Sequence, residues 1–163
     1  LTGLPNRRAF IAQARTALAQ ATRYGVDMAV LVLDVDWFKQ LNDSLGHAAG
    51  DKALLAVADV VRTELREGDL AARFGGEEFA LLSPQPAAQL ASQLDQLRQR
   101  CAAVPYAKGA PPLSFSAGVY QSADEALETL LQQADLRLYQ AKQQGRARTC
   151  IQLDGQPATQ PVA

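Results

Sequence analysis

A short, wholly apolar run at residues 28–33 limits the fold more than any other feature of this sequence. The run reads Met-Ala-Val-Leu-Val-Leu and is followed at once by Asp34-Val35-Asp36. A continuous apolar run of this length between helical patterns is typical of a strand buried on both faces. Six residues are also far fewer than the roughly 20 needed to cross a bilayer. The run therefore predicts a buried central strand.

The patterns on both sides of this strand predict the element order α-β-α-α-β-β-α-β-α-β. The predicted helices cover residues 5–23, 37–45, 51–65, 87–103 and 125–144, and the predicted strands cover residues 28–33, 70–74, 79–82, 113–120 and 147–153. Gly75-Gly76, between the second and third strands, is a hairpin signal. A central hairpin between two β-α units predicts an α+β sandwich of ferredoxin-like type, with one mixed sheet flanked by helices.

Composition narrows the class of protein. The 163 residues are enough for one domain, and 16 Lys+Arg against 17 Asp+Glu give a net charge of −1, which argues against binding to a nucleic acid polymer. We expect one domain over residues 1–153 and a flexible tail over residues 154–163. Two distant cysteines and the lack of a signal peptide favour a reduced, cytoplasmic compartment. A chain that opens at Leu1 predicts a longer parent protein, which could itself carry a membrane anchor.

Two carboxylates end the predicted central strand. Asp34 directly follows buried positions, where an unpaired carboxylate is costly. Asp36 immediately precedes a predicted helix, so it is either the N-cap of that helix or a second functional acid. Carboxylates at a strand end are natural ligands for Mg²⁺, which combines a few acids with phosphate oxygens.

Two more acids follow the glycine pair of the predicted hairpin. Glycines without side chains let a phosphate approach the backbone closely, although a Gly-Gly pair alone indicates only a turn. Adjacent strand residues point to opposite faces, so we expect only one of Glu77 and Glu78 to face a metal held by Asp34. Taken alone, these acids also fit solvated charges at the edge of a sheet.

Five ordered segments resemble the signatures of the GGDEF domain family, the diguanylate cyclases. Gly75–Phe79 resembles the GGEEF form of the central signature. The other segments are Leu1–Arg8 (LTGLxNRR), Asp34–Asp43 (DxDxFKxxND), Gly46–Asp51 (GHxxGD) and Tyr139–Arg146 (YxAKxxGR). The resemblance implies a polymerase-palm-like α+β sandwich, in agreement with the predicted element order. It also implies that two GTP molecules condense into cyclic di-GMP with release of pyrophosphate.

The resemblance implies a role for each acid at the predicted site. The implied catalytic residues are Asp34, Glu77 and Glu78. Asp34, Glu77 and the Val35 carbonyl are the implied ligands of Mg²⁺, for which Mn²⁺ is a possible substitute. Glu78 is expected to face the other way.

The resemblance also implies a set of substrate-binding residues. They are Trp37, Phe38, Lys39, Asn42, Asp51, Gly75, Gly76, Lys142 and Arg146. Lys39, Lys142 and Arg146 resemble the clamp on the triphosphate, while Asn42 and Asp51 resemble the residues that recognise guanine. Without the resemblance, Lys142 and Arg146 also fit a basic helix end, and Asp51 fits an acid in a first helical turn.

Arg66 and Asp69 resemble the RxxD inhibitory site at which many diguanylate cyclases bind their product. The alternative for the two residues is a surface ion pair. Strongly inhibited family members often supply another arginine from the helix after the hairpin. Here the aligned position is Gln96, with Arg98 and Arg100 nearby.

One chain carries residues for a single GTP, so the resemblance implies a homodimer in the active state, assembled by an N-terminal regulatory domain. The implied partners are GTP as substrate and cyclic di-GMP as product and inhibitor. The alternative function is a catalytically inactive module that senses cyclic di-GMP through Arg66 and Asp69. The presence of Asp34, Glu77 and Glu78 favours the enzyme.

Overall fold

The structure, a computed structural model, describes residues 1–153, and the flexible tail predicted for residues 154–163 lies outside them. The described residues form ten elements in the predicted order. These are α1 (Arg7–Tyr24), β1 (Ala29–Val35), α2 (Phe38–Leu45), α3 (His47–Glu64), β2 (Leu70–Gly75), β3 (Glu78–Ser83), α4 (Ala87–Ala103), β4 (Phe115–Gln121), α5 (Leu127–Gln143) and β5 (Thr149–Cys150).

The five strands form one mixed sheet with the order β2-β3-β1-β4-β5. Strand β1 is central and antiparallel to both β3 and β4, while β5 runs parallel to β4. All seven residues of β1 are buried. The predictions of a buried central strand and of a mixed sheet with helices around it are confirmed.

Helices cover both faces of the sheet because the side chains of β1 alternate between them. Val30 and Val32 pack with Phe10 of α1 and with residues of α5. Leu31 and Leu33 pack on the opposite face with residues of α3 and α4. Asp34 continues the first of these series, so the alternation directs it to the face covered by α1 and α5.

Two predicted boundaries, the start of α3 and the end of β5, differ from the structure by more than two residues. Helix α3 begins at His47 rather than residue 51, because the Gly50 N–H donates to the Gly46 carbonyl at 3.2 Å and continues the helix through a glycine. Strand β5 contains two residues instead of the predicted seven. Positive φ angles at Arg146 and Ala147 turn the chain just before it, which shortens the pairing.

Of the two readings left open for Asp36, the N-cap of α2 does not hold. The residue at the cap of α2 is Trp37, and no side chain caps that helix. The Asp36 carboxylate instead accepts hydrogen bonds from the Ser116 hydroxyl at 2.6 Å, the Ser114 hydroxyl at 2.9 Å and the Ala147 N–H at 3.0 Å. Asp36 therefore joins the end of β1 to β4 and to the turn that precedes β5.

Cys101 and Cys150 are both buried and free. Burial raises the pKa of the Cys101 thiol to about 12, which fits a packing role. Within residues 1–153, no helix has both the length and the apolar character required to cross a membrane.

Substituting Gly118 by alanine is expected to destabilise the protein by about 1–3 kcal/mol through overpacking. A Cβ at Gly118 would overlap the Ala134 carbonyl and the Leu138 N–H of α5, and backbone atoms in a helix cannot move aside singly. The free energy of unfolding in urea measures the effect. Gly25→Ala is the control, since a Cβ there meets no atom within 4 Å and only its positive φ of 67° disfavours alanine. A smaller loss at Gly118 than at Gly25 would contradict this account of the packing.

Candidate active site

The end of β1 and the tip of the hairpin are adjacent because of the register of the sheet. Asp34 pairs with Glu78 across β1 and β3, and the Val35 N–H donates to the Glu77 carbonyl at 3.1 Å. Residues directly opposite each other in an antiparallel pair project from the same face. The expectation that Glu78 faces away from Asp34 is therefore wrong. Glu77 lies in the turn, where strand alternation does not apply.

The carboxylates at this end of the sheet repel one another. Burial raises the pKa of Asp34 to about 6, even though Lys142 opposes the shift, and the charges of Glu77 and Glu78 add to it. The Lys142 Nζ lies 3.1 Å from Asp34 Oδ2. Burial, followed by the charge of Asp135, raises the pKa of Glu78. An excess of negative charge in a partly desolvated position favours the binding of a cation.

The available donors fit Mg²⁺. Asp34, Glu77 and the Val35 carbonyl would supply oxygen ligands, which a hard cation prefers, and Lys142 offsets only part of the cost of burying the Asp34 charge. Within residues 1–153, no three acidic, histidine or cysteine side chains converge closely enough to hold a metal by themselves. Mg²⁺ commonly takes one or two carboxylates and completes its shell with water and substrate phosphates. The donor set therefore fits a cation that binds together with a phosphate substrate.

The tip of the hairpin leaves its backbone uncovered. Gly75 and Gly76 have φ angles of 138° and 48°, and a Cβ on either residue would meet no atom within 4 Å. The requirement for glycine is therefore conformational, and the space beside the backbone is open to a ligand. Arg73 fixes the tip by donating to the Gly76 carbonyl from Nε at 3.1 Å and from Nη2 at 2.8 Å.

The structure brings two of the three predicted clamp residues to the end of β1. Lys142 pairs with Asp34, and the Arg146 guanidinium lies over the Trp37 ring, 4.1 Å from its centroid. Trp37 is 57% exposed and has a φ of 58°, so the indole stands on the surface directly after the buried end of β1. Lys39 is exposed in the first turn of α2. The stacking of Arg146 on Trp37 has no counterpart in a local sequence pattern.

The predicted guanine-recognition residues lie where α2 meets α3. The Asn42 side chain contacts Gly50, and a Cβ on Gly50 would overlap Asn42 Oδ1 and lie 3.3 Å from the Phe38 ring. Asn42 Oδ1 is buried and, in the described part of the chain, has no hydrogen-bond partner. Asp51 follows Gly50 and is exposed. A buried acceptor without a partner is unusual in a folded protein, and the contact with Gly50 leaves no room for a larger residue there.

Arg66 and Asp69 lie at the other end of β2 from the hairpin tip. Asp69 Oδ2 accepts from the Arg66 main-chain N–H at 2.9 Å, and its Oδ1 accepts from the Ser83 hydroxyl at 2.5 Å. The exposed Arg66 guanidinium donates to Gln85 Oε1 at 3.4 Å. The two side chains therefore bond to other groups, and the surface ion pair considered above does not form.

The arginines of α4 are engaged elsewhere. Arg98 donates to the Phe115 carbonyl at 2.9 Å and to the Thr149 hydroxyl at 2.7 Å, which ties α4 to β4 and β5. Arg100 forms an ion pair with Glu64 of α3. Gln96, at the position of the family's second arginine, is exposed.

Sequence reasoning did not identify two charged residues that act on Glu78. Asp135 of α5 raises the pKa of Glu78, and Arg7 of α1 opposes that rise. Together with Phe74 they line a cleft of about 290 Å³ beside Glu78. Arg7 belongs to a recognised motif, but Asp135 has no local signal because only the packing of α5 brings it to the sheet.

Known proteins share both the sequence and the fold. The family described as "Diguanylate cyclase, GGDEF domain" matches residues 1–148. "Diguanylate cyclase DgcP" of Pseudomonas aeruginosa is 44% identical over 152 residues, covering 91% of this chain and 23% of that protein. "Cyclic di-GMP phosphodiesterase NbdA" of the same organism is 39% identical over 150 residues, covering 90% and 19%.

A solved structure extends the comparison. The coiled coil and GGDEF domain of DgcB from Caulobacter crescentus, in complex with c-di-GMP, has a TM-score of 0.85 and 30% identity, covering 91% of this chain and 82% of that one. The chain spans less than a quarter of the length of DgcP or of NbdA. With a family match over nearly all of the described residues and the same fold in a solved relative, the chain belongs to the GGDEF domain family.

Proposed function

We propose that this chain is a Mg²⁺-dependent diguanylate cyclase domain, which joins two GTP molecules into cyclic di-GMP and releases two pyrophosphates. The observation that carries the proposal is the acidic end of β1. There Asp34, Glu77 and Glu78 interact electrostatically beside a glycine tip whose backbone is open to a ligand. A family relationship alone would not favour catalysis, because domains can lose their acids, but this chain retains all three.

Some residues of the proposed site would bind the metal, and others would bind the substrate. Asp34, Glu77 and the Val35 carbonyl would hold Mg²⁺, which when bound neutralises triphosphate charge and makes a ribose 3′-hydroxyl more acidic. Glu78 lies on the same face of the sheet as Asp34, with which it pairs across β1 and β3. Gly75 and Gly76 let the phosphates approach the main chain.

Basic side chains orient the triphosphate. Lys142, already 3.1 Å from Asp34, would contact the phosphates beside the metal ligands, with Lys39 contributing from α2. Arg146 offers a planar fork of donors suited to two phosphate oxygens, and the Trp37 ring limits the positions that its guanidinium samples. In the proposed site, Trp37 supports Arg146, and Phe38 packs beside the base.

Recognition of guanine is assigned to Asn42 and Asp51. A carboxylate can accept from both N1–H and the 2-amino group of guanine, a pair of donors that adenine lacks. Asn42 contacts Gly50, the residue before Asp51, so its amide lies beside Asp51 in the proposed base site. A polar site left unpaired by the wrong base discriminates strongly against it.

Gly50→Ala is expected to raise the KM for GTP by about tenfold or more, because the new methyl group displaces the Asn42 side chain. Steady-state kinetics with GTP and thermal unfolding of the same samples measure binding and stability separately. Ala48→Gly, an exposed change in the same helical turn, is the control and should leave KM unchanged. An unchanged KM in a folded Gly50→Ala variant would remove Asn42 from the binding site.

We also propose product feedback through Arg66 and Asp69. A guanidinium can grip the O6/N7 edge of guanine, and a carboxylate can accept from its N1/N2 edge. The location of these residues, across the length of β2 from the catalytic acids, supports a separate surface. That same separation favours the alternative function, a sensor of cyclic di-GMP without turnover, because such a site needs none of the catalytic acids.

One assay distinguishes the two functions. The chain, fused behind a coiled-coil dimer, is incubated with GTP and Mg²⁺, and the nucleotides are separated by chromatography. A cyclase forms cyclic di-GMP with two pyrophosphates for each product, and chelation of the metal stops it. Binding of cyclic di-GMP without turnover would overturn the cyclase and support the sensor. ATP in place of GTP tests the assignment of Asp51.

A further inference from the structure

A chain of buried polar side chains lies directly behind Arg66 and Asp69. Its members are Ser83 at the end of β3, Gln85 in the following loop and Gln93 in α4, with exposed fractions of 0%, 7% and 8%. Buried amides are costly unless their donors and acceptors are satisfied. Their partners therefore indicate what they do.

The hydrogen bonds run from the core to both candidate product-binding residues. Gln93 Nε2 donates to the Glu64 carbonyl at 2.9 Å, and its Oε1 accepts from Gln85 Nε2 at 2.9 Å. Gln85 Nε2 also donates to the Ser83 hydroxyl at 2.9 Å, and that hydroxyl donates to Asp69 Oδ1. Gln85 thus uses both hydrogens of its amide within the protein.

The amide oxygen of Gln85 faces Arg66, the second of the two proposed product-binding residues. Gln85 Oε1 accepts from Arg66 Nη1 at 3.4 Å. One buried amide is therefore bonded to Arg66 directly and to Asp69 through one hydroxyl. A connected network of buried hydrogen bonds restricts its members to one arrangement.

Gln93 departs from the pattern of its own helix. It occupies a buried position between Leu90 and Leu97 on the face of α4 that packs against the core. A leucine would fit that face without any requirement for hydrogen bonds. A polar residue that breaks the pattern of its helix while both its nitrogen and its oxygen are bonded is a candidate for a role beyond core packing.

We propose that Gln85, anchored by Gln93, is a positioning residue that aligns Arg66 and Asp69 for guanine. The inference rests on the product-binding site proposed above. It adds the residues that fix the positions of the Arg66 and Asp69 side chains. Arg66 is exposed and would otherwise sample many rotamers, whereas the bond to Gln85 directs its guanidinium. Each Asp69 oxygen already accepts one bond from the protein and keeps a further lone pair for the guanine edge.

Calorimetric titration with cyclic di-GMP tests the proposal. Gln85→Met keeps the length of the side chain and removes its three hydrogen bonds, and it should weaken product binding about tenfold. If Gln85 acts through Arg66, the same substitution should have a much smaller effect in an Arg66→Ala background. Independent, additive effects of the two changes would overturn the positioning role.

The matched control is Gln121→Met. Gln121 is a half-buried glutamine that accepts from the Ala87 N–H and donates to the Met28 carbonyl, so the change loosens the start of the same helix without touching Arg66 or Asp69. Its affinity for cyclic di-GMP should equal that of the wild type. If Gln121→Met lowers the affinity as much as Gln85→Met does, the effect of Gln85 comes from a general loosening of α4, and the proposal is overturned.

Two further outcomes separate this inference from the product site itself. A wild-type chain that does not bind cyclic di-GMP overturns both. Wild-type binding that Arg66→Ala weakens and Gln85→Met leaves unchanged overturns the positioning role alone.

If Gln85→Met does not fold, Gln93→Leu fits the helical pattern and removes the anchor of Gln85. Its affinity should fall, and wild-type affinity in that variant would contradict the proposal.

Discussion

Glu77→Gln is expected to lower the rate of cyclic di-GMP formation at least about 100-fold while leaving the fold intact. Glutamine keeps the shape of the side chain but removes the negative charge that a metal ligand needs. The main-chain bond from the Val35 N–H to the Glu77 carbonyl does not involve the side chain, so the hairpin should keep its place beside β1. The measurement is the rate of product formation at saturating Mg²⁺, with the product quantified by chromatography.

Glu128→Gln is the control for this change. Glu128 is an exposed carboxylate on α5 that pairs with Arg15, and its neutralisation should leave turnover unchanged. Near-native activity of Glu77→Gln at saturating metal would show that Glu77 is not a ligand.

Asp34→Asn is expected to abolish turnover and, without metal, to stabilise the protein at pH 7 by about 1–3 kcal/mol. The pKa of Asp34 in the folded protein is raised from 3.8 to about 6. The folded state therefore holds this proton more tightly than the unfolded state, and ionisation of Asp34 opposes folding at neutral pH. The stability associated with protonated Asp34 is fully present below pH 4 and is lost as the pH rises through about 6.

Urea unfolding of both proteins at pH 7 and at pH 4 measures this linkage. The asparagine variant should exceed the wild type at pH 7, and the difference should shrink toward pH 4. Lys142, left without its partner, is 31% exposed and can be solvated. An asparagine variant that is less stable than the wild type at pH 7 would mean that the ion pair outweighs the cost of burying Asp34.

Features that depend on local patterns could be predicted from the sequence. The apolar residues 29–33 form the core of β1, and the glycine pair forms the tip of a hairpin. Both follow from backbone preferences and burial within a short segment. The element order was predictable for the same reason, and the mixed sheet followed from the order.

Features that depend on distant partners could not be predicted. Glu78 lies on the same face as Asp34 because the two residues pair across β1 and β3. That register depends on the number of residues in the turn, which the alternation along one strand does not reveal. Asp36 resembles a helix cap locally, but its partners Ser114 and Ser116 lie nearly 80 residues away. The contact of Arg146 with Trp37 likewise exists only after α5 has packed on the sheet.

The proposed chemistry predicts that two copies of the chain come together in the active state. In the proposed function, one acidic site and one pair of guanine-recognition residues would serve one GTP, and each 3′-hydroxyl would attack the α-phosphate of the other nucleotide. The simplest arrangement is two identical half-sites facing each other across a two-fold axis. Holding two chains together replaces a rare encounter with a high effective concentration.

Specific activity as a function of protein concentration is the sharpest test of this half-site arrangement. The chain is assayed with GTP and Mg²⁺ over a range of concentrations, alone and with a coiled-coil dimer fused ahead of Leu1, while its oligomeric state is measured in parallel. We expect specific activity to rise with concentration in the chain alone and to increase sharply on fusion. Concentration-independent activity in a demonstrated monomer would contradict the arrangement.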